Sequence, residues 1–193
     1  MIIGITGGTG CGKTTLLDVI RAKGGLVLDC DEIYHELLRT DTNLLAAIEA
    51  RFPGTVREGA LQRKELGAIV FNDKAALKDL SRITYRFILP AIQQKLAQPG
   101  DLKAIDAIGL FEGKLDALCD LTVAVTAPED CRVQRLMSRD GITEEYARSR
   151  IAAQRPQAEF SALCDHTLVN DGTREDFQKK CLAFLAQLDI MKV

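Results

Sequence analysis

Near the start of the chain, Gly7-Gly8-Thr9-Gly10-Cys11-Gly12-Lys13-Thr14 narrows the choice of fold more than any other stretch. It follows the apolar run Ile2-Ile3-Gly4-Ile5 and precedes the helically spaced Thr15-Leu16-Leu17-Asp18-Val19-Ile20. Strand, G-x-x-x-x-G-K-[ST] turn and helix in that order are the context in which such a string is a phosphate-binding loop. Its glycines let consecutive backbone N–H groups curl around phosphate oxygens, and the helix N-terminus adds partial positive charge. The motif predicts a bound nucleoside triphosphate, with Lys13 reaching the β- and γ-phosphates and the Thr14 hydroxyl on Mg²⁺.

At 193 residues the chain suits one domain with room for an inserted subdomain. A net charge of −2 makes no case for nucleic acid or a membrane surface. No apolar run approaches the roughly 20 residues of a membrane span, and the chain opens directly on a core strand, with no expected leader. The six cysteines (Cys11, Cys30, Cys119, Cys131, Cys164 and Cys181) form no C-x-x-C pair, which fits reduced thiols rather than a zinc site or disulfide framework. These features predict a cytoplasmic globular protein, expected to be a monomer.

The first helix should run to about Ala22 and stop at Gly24-Gly25. The next strand, Leu26-Val27-Leu28, ends in Asp29-Cys30-Asp31, and open parallel sheets hold ligands beyond their strands' carboxyl ends. Asp29 and Asp31 are therefore the first candidates for chemistry, with a second reading of Asp31 as N-cap of a helix from Glu32 to Leu38. From Thr42 to Gln98 strand character disappears. Helical patterns cover Gln62 to Phe71, Asp73 to Leu80 and Ile83 to Leu96, longer than an ordinary crossover. This is read as an inserted helical subdomain suited to a second substrate.

The third strand, Lys103 to Ile108, carries Asp106 and leads to Gly109-Leu110-Phe111-Glu112. An acid at a strand end beside a phosphate loop suits the Mg²⁺ water shell, which makes Asp106 and Glu112 candidates. The fourth strand is Leu121 to Val125, and Pro128 opens the following helix. Arg132, Arg135, Arg139, Arg148, Arg150 and Arg155 crowd the next stretch. Guanidinium forks suit a transferring phosphoryl group, so the pattern reads as a lid, with Glu144–Arg148 placed for an i,i+4 ion pair. The fifth strand, Thr167 to Val169, meets Asn170-Asp171-Gly172, and an amphipathic helix from Thr173 to Leu188 closes the chain. His35 and His166 show no partner constellation.

Together these stretches resemble the dephospho-CoA kinase family of P-loop kinases. The resemblance rests on the loop, on Val27-Leu28-Asp29-Cys30-Asp31, on Arg63 to Phe71 and on Leu110-Phe111-Glu112. It also rests on Arg139-Asp140-Gly141 with Arg150-Ile151-Ala152-Ala153-Gln154, and on Asn170-Asp171-Gly172. It implies an α/β P-loop kinase fold: a five-stranded parallel sheet flanked by helices, a helical acceptor-binding insertion and an arginine-rich lid. The implied division is a nucleotide core (about 1–38, 101–135 and 164–193), an insertion (39–100) and a lid (136–163).

The implied reaction is ATP-dependent phosphorylation of the ribose 3′-hydroxyl of dephospho-CoA, with Mg²⁺. Asp31 would take or orient the hydroxyl proton, while Lys13 and Arg139 stabilise the phosphoryl group. ATP would meet Gly8, Thr9, Gly10, Cys11, Gly12, Lys13, Thr14, Thr15, Arg135, Arg139, Asn170 and Gly172. The acceptor would meet Asp31, Arg63, Tyr85, Arg86 and Glu112, and Asp106 would reach the metal through water. The chain departs from the family's I-x-H-P-x-I pattern at Ile83-Thr84-Tyr85-Arg86-Phe87-Ile88. That departure leaves a nucleoside monophosphate or another small metabolite open as acceptor. A guanine-specific switch would need N-K-x-D, and Gly113-Lys114-Leu115-Asp116 lacks the Asn. Cys11 is read as a small loop residue, with redox sensitivity as the other reading.

Overall fold

In the computed structural model, which describes residues 1–190 and side chains through Leu188, β1 (Ile2–Thr6) is the middle strand of a sheet. The order is β2-β5-β1-β6-β7, with β2 at Leu26–Asp29, β5 at Lys103–Asp106, β6 at Leu121–Thr126 and β7 at His166–Val169. β1 runs parallel to both neighbours, with Ile5 opposite Asp106 on one side and Val123 on the other. Central parallel strands are covered on both faces, which is why β1 and β6 are continuous apolar runs; Ile3, Ile5, Val123, Ala124 and Val125 are fully buried. Placing β1 centrally puts the turn that follows it in the middle of the sheet's carboxyl edge, where such sheets hold ligands.

The chain forms two units. The first comprises Met1–Val27, Gly100–Leu110 and the residues from Asp116 on. Its core joins β1, β5 and β6 to α1 (Lys13–Ala22) and α9 (Arg174–Ile190) through Leu16, Ile20, Phe177 and Leu185. It also holds α6 (Glu129–Asp140), α7 (Glu144–Ala152) and α8 (Gln157–Leu163), so the residues read as a lid belong to this unit. Residues 191–193 of the expected core lie outside the described residues.

The second unit comprises Leu28–Pro99 and Phe111–Leu115. It packs α2 (Cys30–Thr40), α3 (Thr42–Arg51), α4 (Arg63–Val70) and α5 (Lys74–Leu96) around Leu44, Ile48, Phe52 and Leu66.

Three expectations need correction. Helix α2 begins at Cys30, and its N-cap is Asp29 rather than Asp31; Asp29 Oδ1 accepts from the amides of Asp31 and Glu32 at 2.8 and 3.2 Å. Both aspartates are good caps, and the strand's end decides between them. The stretch from Thr42 to Gln98 is not wholly helical, because Val56–Arg57 (β3) and Ala60–Leu61 (β4) form a short antiparallel hairpin. Its turn needs positive φ at Glu58 and Gly59, and glutamate rarely signals that conformation. Finally, the helices expected at Asp73–Leu80 and Ile83–Leu96 are one 23-residue helix. Its buried stripe runs Ala76, Thr84, Ile88 and Ile92 at multiples of four, and the polar Thr84 masked its continuity.

Candidate active site

The turn after β1 shows why its glycines are needed. Gly12, the N-cap of α1, sits at φ 93°, and a Cβ there would strike the Asn170 amide. As a glycine, the N-cap has no side chain with which to cap α1, and the helix N-terminus favours an anion. Lys13 Nζ donates to the Gly7 carbonyl at 2.9 Å, which folds the side chain back across the loop. Thr14 is exposed at the first turn of α1, while the Thr15 amide donates to Gly12 O at 3.1 Å.

Side chains remote in sequence brace this loop. Arg132 is only 3% exposed; its Nε donates to Thr9 O at 2.8 Å and its Nη2 to Gln154 Oε1 at 3.3 Å. The same Gln154 oxygen accepts the Thr9 amide at 2.8 Å. Arg135 Nη1 donates to Gly10 O at 3.2 Å and Nη2 to Asn170 Oδ1 at 3.0 Å. Asn170 is 4% exposed and donates from Nδ2 to Cys11 O at 2.9 Å. Its side chain is thus committed to the loop, while Asp171 and Gly172 beside it are exposed.

Arg132 and Gln154 were not among the expected site residues. Their signal was the helical spacing Arg132, Arg135, Arg139 and the family-like Arg150-Ile151-Ala152-Ala153-Gln154 string, but no pattern marks an arginine as buried.

Cys11 is fully buried, with Sγ 3.6 Å from Gln157 Oε1. Burial pushes its thiol pKa up against the lowering pull of Arg132 and Lys13. A reactive thiolate needs the opposite balance and access, so the redox reading loses its basis. None of the six cysteines is in a disulfide.

Arg139, Arg148 and Arg150 face carboxylates. Arg139 forms a fork to Asp140, Nε to Oδ1 at 2.7 Å and Nη2 to Oδ2 at 3.0 Å, and Arg150 Nη1 reaches Oδ2 at 2.7 Å. These two cations hold the Asp140 pKa at about 2. Arg148 binds Glu144, Glu129 and Asp130, which bears out the expected i,i+4 pair with Glu144. Arg155 lies over the Phe160 ring.

Among possible cation ligands in the first unit, Asp106 closes β5 beside Ile5, and one carboxylate oxygen, Oδ1, is buried. The described residues contain no cluster of three or more His, Cys, Asp or Glu able to hold a metal.

In the second unit, Asp31 lies exposed in the first turn of α2. Tyr85 on α5 is half-buried with its ring against Gly113, where a Cβ would collide with it. Burial, followed by the nearby Cys30, Glu112 and Asp31, pushes the Tyr85 phenol far above its usual range, so it remains a donor. The fold thus gathers Asp31, Tyr85 and Glu112. Arg63 is linked to the same helix, with Nη1 3.3 Å from His35 Nε2, while His35 Nδ1 is 3.1 Å from Asp31 O. His35 therefore has the partners its sequence surroundings did not suggest. Arg86 is exposed on α5.

A family model described as dephospho-CoA kinase (CoaE) matches residues 1–176. The chain belongs to the dephospho-CoA kinase family. Its relatives include the dephospho-CoA kinase of Geobacillus kaustophilus, 37% identical over all of this chain and 98% of that one. The dephospho-CoA kinase of Anaeromyxobacter dehalogenans is 38% identical over 97% of this chain and 92% of its own. The crystal structure of TT1252 from Thermus thermophilus superposes with a TM-score of 0.81 at 32% identity, covering 97% of each chain. Membership makes the chain a phosphotransferase with an alcohol acceptor, built on the P-loop kinase fold. No helix among the described residues is long and apolar enough to cross a membrane.

Proposed function

We infer that this chain transfers the γ-phosphoryl group of ATP to the ribose 3′-hydroxyl of dephospho-CoA, giving CoA. The observation that carries the reading is the match of a dephospho-CoA kinase model to residues 1–176, on a chain whose phosphate loop is complete and braced. Phosphoryl transfer has a loose transition state, so catalysis is mostly positioning and charge stabilisation.

The loop amides from Gly8 to Thr15 hold the phosphates. Lys13 leaves the Gly7 carbonyl for the β- and γ-oxygens. Arg135 keeps the loop in shape, Arg139 exchanges Asp140 for the transferring group, and Gly172 contributes backbone toward the base. The Thr14 hydroxyl and, through water, Asp106 would hold Mg²⁺, which would supply positive charge to offset that of the phosphates. Asp31 takes or orients the 3′-hydroxyl proton, and Arg63, Tyr85, Arg86 and Glu112 hold the acceptor. In this reading residues 1–38, 101–135 and 164–193 form the nucleotide core, 39–100 the acceptor insertion and 136–163 the lid that excludes water. A monomer in a reducing, cytoplasmic compartment fits six thiols outside any disulfide.

Mass spectrometry of ATP plus dephospho-CoA should reveal one added phosphate on the acceptor. Parallel reactions with AMP, CMP and shikimate test acceptor choice, and faster turnover of any of these than of dephospho-CoA would overturn the assignment.

A further inference from the structure

The second unit contains a cavity of about 210 Å³ between α2, β4, α4 and α5. Its floor is apolar: Leu38, Leu66 and Val70 are buried, with Leu61 and Leu80 packed against them. Its rim carries Tyr34, His35 and Arg63, and no lining residue is acidic. Burial raises the Tyr34 phenol pKa, and the charge of Arg63 lowers it by less.

Phe71, at the end of α4, borders the cavity yet is 82% exposed. Its ring lies against Gly67, where a Cβ would come within 3.2 Å of it. Glycine inside a helix costs about 1 kcal/mol relative to alanine, and here it seats an aromatic ring that is largely exposed. A large exposed ring beside an apolar hollow is the form of a ligand wall. The cavity is smaller than the roughly 300–1,000 Å³ of a site enclosing a whole drug-sized molecule, so it suits one segment of a longer ligand.

We propose that this cavity is the subsite for the pantetheine arm of the acceptor, a role that rests on the dephospho-CoA kinase reading above. The arm has an apolar gem-dimethyl carbon beside the diphosphate, then two amides and a thiol. The apolar floor and the Phe71 ring take the carbon chain. The basic rim, Arg63 with His35, faces the anionic end, and the Tyr34 hydroxyl serves an amide. This subsite gives the enzyme a means to prefer dephospho-CoA over adenosine nucleotides that present the same 3′-hydroxyl without an arm.

The test uses full-length enzyme, with 4′-phosphopantetheine (arm without nucleoside) and AMP (nucleoside without arm) as inhibitors against dephospho-CoA. Phe71→Ala should raise the KM for dephospho-CoA about tenfold, the order expected for one lost aromatic wall, with the KM for ATP unchanged. It should weaken 4′-phosphopantetheine inhibition by a similar factor and leave AMP inhibition as it was. Phe71→Leu should restore most of the loss. An unchanged KM, no inhibition of the unmodified enzyme by 4′-phosphopantetheine, or a comparable weakening of AMP inhibition overturns the subsite. Failure of the unmodified enzyme to phosphorylate dephospho-CoA would instead overturn the functional reading itself.

Discussion

Asn170→Ala separates two roles for the turn after β7. If the side chain braces the loop, its removal destabilises the protein with no ligand present. One neutral bond, Nδ2 to Cys11 O at 2.9 Å, contributes about 1 kcal/mol, and one bond from a charged donor, Arg135 Nη2 to Oδ1 at 3.0 Å, about 1.5–3 kcal/mol. Asn170 is only 4% exposed, so water does not replace either partner. The expected loss is about 3 kcal/mol, a fall in Tm of roughly 6–12 °C for a chain of this length.

Thermal unfolding without nucleotide reads that loss directly, and the ATP-to-GTP ratio of kcat/KM reads base recognition. The brace predicts a large Tm shift, a raised KM for ATP and an unchanged ratio. A Tm within 1 °C of the parent together with a collapsed ATP preference would refute the reasoning and make Asn170 a base reader. A double-mutant cycle with Arg135→Met should show coupling of about 1.5–3 kcal/mol, because each change removes the same bond.

Four further outcomes are expected. Asp31→Asn lowers kcat by about 10²- to 10⁴-fold, the usual contribution of a general base, with the KM for ATP unchanged; near-normal turnover would remove Asp31 from that role. Lys13→Ala impairs both ATP binding and turnover, measured by calorimetry and steady-state rates. The Arg139–Asp140–Arg150 cluster has a carboxylate held at about 2, so its stabilisation is complete above the ordinary carboxylate range and disappears as pH falls toward 2. A carbon-13 titration of Asp140 should show this midpoint, and Arg150→Gln should move it upward. Cys11 should resist alkylation in the native protein and react only on unfolding, as peptide mass spectrometry after brief iodoacetamide treatment would show.

What could be read along the chain was what neighbouring residues decide. The loop, the end of α1 at Ala22, the parallel strands and the Glu144–Arg148 pair all arise within short spans, from glycine geometry, β-branched runs and helical spacing. Family membership belonged to this class too, since its motifs are short strings.

Tertiary structure decided the rest. Cys11 and Asn170 are 159 positions apart, and Thr9 and Gln154 are 145 apart; only the sheet order brings them to one turn. Burial is also a property of the fold: nothing in the string separates Arg132, under the loop, from Arg148, among three carboxylates. The choice of Asp29 over Asp31 as cap followed from where β2 ends, and the unbroken α5 from the burial of Thr84. Residue types prescribed the chemistry available to this chain, and long-range packing determined which copy of each type holds the loop and which lies in solvent.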